Sequence, residues 1–231
     1  MDGIRMVAKT LLHLDVIKNP EFPFIAHHPF TTSPVTFLQT AEGGKPLNLE
    51  DESDAAEWRA SVSKQIDCCS NPIQVYLMIS SNYQTGFLML AEPYLGTKDL
   101  PTIVRAVWQN AEDVNAGVNV SRSDFVSLFK ECDKTALMNE DELEQYNELP
   151  DEVTVYRGVS SGKKKSARSL SWTTNKAMAE KLARRRGQGK TKAKVFSTRI
   201  PKSAILAYFD GESEVLVDPS AIKEIEECQP A

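Results

Sequence analysis

An α+β fold is the expectation, and three features of the chain carry it. Apolar residues recur at helical spacing from Asn48 to Leu149. Short, β-branched, alternating runs begin after Pro150. One helical stretch, Asn175 to Arg186, interrupts those runs. The change of pattern divides the 231 residues into a mostly helical region, 1–149, and a strand-rich region, 150–231. A helical N-terminal part packed on a C-terminal sheet is therefore expected.

The elements follow in order. Met1 to about Leu49 mixes short apolar runs with turn signals, Asn19-Pro20 and Gly43-Gly44 among them, and His27-His28-Pro29 reads as a loop. Asp51 to Ile66 opens with acids, which suit the positive end of a helix. Asn71-Pro72 reads as an N-cap followed by proline at the first helical position, leading into Ile73 to Ile79. Pro101 heads a helix from Leu100 to Ala111, with Ile103, Val104, Val107 and Trp108 on one side. Ser121 to Cys132 sets Phe125, Leu128 and Phe129 on one face, and Asn139 to Leu149 is a short acidic helix. Strands are then expected at Val153 to Arg157, Leu170 to Thr174, Lys194 to Ile200, Ala204 to Phe209 and Glu214 to Val217. The helix between the second and third has Asn175 as its cap and Gly187 at its end.

Composition narrows the class. With 41% hydrophobic and 26% charged residues the chain reads as globular, and no apolar run is long enough to span a bilayer. The first residues carry Asp2 and Asp15 and lack a small-residue cleavage site, so no secretory signal is expected. Cys68, Cys69, Cys132 and Cys228 show neither CxxC nor Cys/His ligand spacing, so reduced thiols in a cytoplasm, and no metal, are expected. Charge is strongly polarised. Arg157 to Val195 holds thirteen Lys/Arg against Glu180 alone, +12, which leaves −17 elsewhere in a chain of net −5. Such a segment suits an anionic ligand or partner.

Three short motifs inside the strand-rich region carry the chemistry. Tyr156-Arg157-Gly158 ends a strand; a guanidinium matches phosphate oxygens two-pronged, and the glycine lets a ligand approach the backbone. A strand-end arginine paired with an acid is the competing reading. Ser171-Trp172-Thr173 sets two hydroxyls on one face of a strand and the indole on the other, in the core or stacked on a ring. A hydroxyl-rich edge strand would look the same. In Glu212-Ser213-Glu214, strand geometry would turn both carboxylates to one side, whereas Asp210-Gly211 ahead of them has the composition of a solvated turn.

Together, in this order, the motifs resemble those of the R-S-E class of mono-ADP-ribosyltransferases. The resemblance covers about residues 150 to 219 and includes Val-Tyr-Arg-Gly, Leu-Ser-Trp-Thr-Thr with the helix after it, and Glu-Ser-Glu-Val-Leu-Val. The Leu-Ser-Trp-Thr form is similar to transferases carried by bacteria and their phages. The resemblance implies a split β-sandwich around an NAD cleft, with NAD as co-substrate. It implies Arg157, Ser171 and Glu214 as the core triad and Glu212 as the carboxylate facing the acceptor. Gly158, Trp172 and Thr173 join Arg157 and Ser171 as NAD-binding positions. Where the family has Ser-Thr-Ser, this chain has Ser171-Trp172-Thr173 preceded by Ser169, so either serine could be the central hydroxyl. No Gly-x-Gly-x-x-Gly is present, so a Rossmann mode of NAD binding is not expected.

The acceptor is open between two chemistries. Lys163, Lys164, Lys165, Arg184, Arg185 and Arg186 would draw an RNA by counterion release, and RNA is slightly favoured. A protein arginine is the usual acceptor of Glu-x-Glu members, and plain NAD hydrolysis or an inactive binding module are the further alternatives. A toxin or conflict effector neutralised by an acidic antitoxin protein is the setting the resemblance suggests.

Overall fold

The structure, a computed structural model, describes residues 1–41, 43–110, 121–159, 164–187 and 193–228. It is α+β, as expected, and divides into two compact units, Met1–Ser121 and Arg122–Ala231.

The first unit begins with α1 (Asp2–Leu12), whose buried Ile4, Val7, Ala8 and Leu12 form one stripe. Two small antiparallel pairs follow: β1 (Ile17–Lys18) with β2 (Ala26–His27), and β3 (Val35–Thr40) with β4 (Gly43–Asn48). Helix α2 (Glu52–Cys68) starts where the Asp51 carboxylate accepts from the Ser53 and Asp54 N–H groups. Asn71 caps α3 (Pro72–Leu77) by accepting from Gln74 N–H. Helices α4 (Ser81–Ala91) and α5 (Asp99–Asn110) complete the unit around Tyr76, Phe87, Leu88, Ile103 and Val104. His28 lies outside the named strands, in an isolated bridge with Thr31. It is buried 5.1 Å from the Trp58 ring, and its Nδ1 accepts from Phe30 N–H.

The second unit opens with α6 (Arg122–Glu131), α7 (Lys134–Leu137) and α8 (Glu140–Glu148). These helices pack with the sheet that follows. A reciprocal box starts α8: Asn139 accepts from Glu142 N–H while the Glu142 carboxylate accepts from Asn139 N–H. The sheet then builds from β5 (Glu152–Val159), β6 (Ser171–Thr173), β7 (Lys194–Pro201), β8 (Ile205–Phe209), β9 (Glu214–Val217) and β10 (Glu226–Glu227). Its spatial order is β10-β7-β5-β6-β9-β8, with every neighbouring pair antiparallel.

Both faces of this sheet are covered. Val153, Val155, Trp172, Phe196, Val215 and Val217 form one core, closed by Leu143 and Tyr146 of α8 and by Leu149 just after it. On the other face α9 (Lys176–Gly187) lays Ala179 and Ala183 against Val195 and Tyr156. Alternation along the strands sorts side chains between these faces. Tyr156, Thr173 and Glu214 stand in register on the α9 side. No helix among the described residues is long and apolar enough to cross a membrane.

Candidate functional site

A fork in the sheet makes the site. Strand β5 pairs with β7 along all eight of its residues, from Glu152↔Pro201 to Val159↔Lys194. With β6 it pairs only at Tyr156↔Thr173. Beyond that point β5 continues as Arg157-Gly158-Val159, while β6, read backward, stays with β9 through Ser171↔Leu216. No ladder pairs Arg157 and Gly158 with Trp172 and Ser171. The Arg157 guanidinium reaches across the fork and donates through Nη1 to the Ser171 carbonyl. A charged donor thus satisfies an acceptor that the fork leaves without its strand partner.

The hollow beside this bridge is lined by Arg157, Gly158, Ser171, Trp172, Thr173, Glu212 and Glu214, together with Tyr156 and Leu182. All seven residues singled out in the sequence therefore meet at one place. Its accessible volume is about 20 Å³, room for a water or two rather than an aromatic ring. Side chains at its rim must move before a larger group enters.

Each residue reaches the hollow for a local reason. Glu214 opens β9 and is half-buried, in register with Thr173 on one side and Phe209 on the other. Glu212 arrives differently. It ends a 3-10 turn, Asp210–Glu212, so strand alternation does not bring the two carboxylates together. Ser213 joins the turn to β9 in a left-handed conformation at φ 47°, ψ 42°, and both glutamates line the hollow. That conformation costs a non-glycine residue roughly 1–2 kcal/mol. Hydrogen bonds on both sides hold it, from Ser213 N–H to the Asp210 carbonyl and from Thr174 N–H to the Ser213 carbonyl.

The turn is braced from two further directions. The Thr173 hydroxyl donates to the Glu212 carbonyl and accepts from Asn175 N–H at the start of α9. From α8, the wholly buried Glu142 carboxylate stands 3.4 Å from Asp210 N–H. Neither Tyr156, Leu182 nor Glu142 was marked by the sequence. Tyr156 belongs to the Tyr-Arg-Gly motif, whereas Glu142 is one acid among several in a short helix.

Gly158 changes its expected role, and Trp172 takes the core position of its two expected readings. The bare Cα of Gly158 serves the fold: a Cβ there would meet the Ala179 carbonyl and come within 2.6 Å of Ala183 N, so α9 fills the space proposed for a ligand. Trp172 lies in the core, 2% exposed, with its indole N–H donating to the Ser169 carbonyl. Ser169 is itself buried and stands outside the lining, whereas half-buried Ser171 lines the hollow.

The basic segment is unevenly engaged. Lys164, Lys181, Arg184 and Arg185 are exposed. Arg168 is exposed too, but its guanidinium donates to the Ile222 carbonyl, and Lys194 pairs with Glu227 at 2.8 Å. Lys163, Lys190 and Lys192, and the side chains of Lys165 and Arg186, lie outside the described residues and atoms. Among the described residues no group of three or more His, Cys, Asp or Glu could hold a metal ion. No protein-family model matches the chain, and neither the curated proteins nor the solved structures yield a significant match.

Proposed function

We propose that this protein is a mono-ADP-ribosyltransferase that moves ADP-ribose from NAD to a macromolecular acceptor. One observation carries the proposal. Arg157, Ser171 and Glu214, drawn from three segments spread over about sixty residues, line one hollow at a fork in the sheet. Breaking the nicotinamide–ribose bond builds positive charge on the anomeric carbon, as in glycoside hydrolysis. Glu214 stabilises that charge and holds a ribose hydroxyl, an interaction that strengthens as the charge develops. Ser171 keeps the ribose in register with Glu214. Arg157 gives up part of its bridge to bind the ribose or the diphosphate. Glu212, at the rim and 41% exposed, faces the acceptor and takes its proton.

RNA is the acceptor we favour. Exposed Lys164, Lys181, Arg184 and Arg185 offer a polyanion solvent-accessible cations, and Arg185 reaches Glu212 of the hollow. A protein arginine is the second reading, favoured by a guanidinium already resting on Glu212, that of Arg185. An effector role in conflict between bacteria and phages, with an acidic neutralising protein, would use the same cations.

Labelled NAD supplied with total RNA or with total protein tests the proposal. Transfer to RNA gives label that nuclease removes and protease leaves. Label with the opposite sensitivity transfers the assignment to a protein acceptor, and no label on either, with no nicotinamide released, overturns the proposal.

A further inference from the structure

One row of side chains joins the hollow to a larger space on the same face of the sheet. Strand pairing runs from Glu226 to Ser197, on to Tyr156, then to Thr173 and finally to Glu214. Directly paired residues share a face. Four strand spacings of about 4.8 Å put Glu226 about 19 Å along this row from Glu214. Tyr156 divides the row. On one side it lines the hollow, and on the other it lines a groove of about 670 Å³ whose walls include Thr154, Ser197, Arg199 and Lys223. Glu224 and Glu226 close that groove near β10, where the Thr198 hydroxyl donates to the Glu224 carbonyl at 2.6 Å. Lys223, Glu224 and Glu226 also line a second groove, of about 580 Å³, with Lys164 and Arg168. The two spaces share these walls and form one trough that ends at Tyr156.

Arg199, Lys223, Glu224 and Glu226 are all exposed, and none of their side chains forms an ion pair or hydrogen bond among the described residues. Opposite charges that line one groove without pairing suit a ligand that carries both phosphates and donor groups. A nucleotide chain is such a ligand. Its phosphates match the guanidinium and ammonium groups, its base amino groups donate to carboxylates, and its 2′-hydroxyls suit Thr154 and Ser197. Each groove alone has the size that holds a small molecule, so the two in series fit a polymer better than one nucleotide. Resting on the transferase reading above, with RNA as acceptor, we infer that a single-stranded segment of the acceptor lies in this trough. Its backbone rests on Arg199 and Lys223, and the base to be modified passes Tyr156 toward Glu214. A duplex cannot serve, because its bases stay stacked and paired away from so narrow a hollow.

Fluorescence anisotropy of a short labelled single-stranded RNA tests this with three full-length chains: the native one, Arg199→Gln with Lys223→Gln, and Lys181→Gln with Arg184→Gln. All four positions are exposed, and circular dichroism verifies that each variant folds as the native chain does. The trough variant should bind about tenfold more weakly, and the slope of log affinity against log salt should flatten by about 1 for each phosphate contact removed. The helix variant should lose less, and millimolar NAD should leave the RNA bound. Native-like binding by the trough variant, a greater loss in the helix variant, or displacement of the RNA by NAD overturns the inference, the last because the groove then belongs to the dinucleotide. So does a native chain that binds no RNA, and nicotinamide release by that same preparation leaves the transferase reading standing with another acceptor. RNA held through Arg199 and Lys223, with no nicotinamide release in its presence or absence, overturns the transferase reading alone.

Discussion

The Thr173 hydroxyl donates to the Glu212 carbonyl at 2.9 Å and accepts from Asn175 N–H at 3.1 Å, so one side chain ties the acidic turn to the start of α9. Thr173 is 2% exposed. Thr173→Val keeps the shape and removes the hydroxyl, so the Glu212 carbonyl and Asn175 N–H lose their shared partner at a cost of about 1 kcal/mol. Urea unfolding should show a lower midpoint with an unchanged slope. Nicotinamide release should fall further than stability alone accounts for, because the support of Glu212 is lost.

Gly158→Ala should destabilise by about 1–3 kcal/mol, since the new methyl meets the α9 backbone at Ala179 and Ala183 rather than a side chain that could swing aside. Gly211→Ala is the matched control. No atom lies within 4 Å of a Cβ built at Gly211, so its unfolding midpoint should stay near that of the native chain.

His28 makes the first unit sensitive to acid. Burial lowers its pKa below 6.5, and Nδ1 is already committed as an acceptor for Phe30 N–H. The unfolded chain therefore binds the proton first as pH drops. The contribution is complete above the unfolded value of 6.5 and is lost as pH falls through the lower folded value. Denaturant titrations at pH 7 and pH 5 should show the native chain weaker at pH 5, with a smaller difference in His28→Gln.

Thiol labelling of the native chain should separate its cysteines. Cys68 is exposed and should react first. Cys132 is buried, and desolvation pushes its thiol up to about 12. Thiolate is the reactive form, so Cys132 should be modified only as fast as the chain opens.

Much of the second unit was legible because its signals are local. The alternating run through Val153 and Val155 became β5, and Asn175 and Gly187 bracket α9 as their residue types require. The cap-and-proline pair Asn71-Pro72 started α3 in the same way. Helix α1 went unread although Ile4, Val7, Ala8 and Leu12 have helical spacing, because turn signals nearby drew the whole stretch into irregular structure. The fork could not be read, since it depends on where β5 leaves β6, and that is set by pairing between distant segments. That Glu212 and Glu214 share one hollow was expected, but from strand alternation. A left-handed Ser213 stands between them instead, and nothing in Glu-Ser-Glu announces that conformation. Composition changes at Pro150, yet α6, α7 and α8 ahead of it pack with the sheet through residues such as Leu143 and Tyr146.

The most direct test is the rate of nicotinamide release from NAD by the native chain and by Glu214→Gln, which keeps the size of the side chain and removes its charge. Loss of a preorganised charge at the reacting carbon is worth on the order of 10²–10³ in rate. A drop of that size, with the variant folded as the native chain, is the expected result. Equal rates, or no release by either, would mean that the hollow between Arg157 and Glu214 is not where a dinucleotide is cleaved.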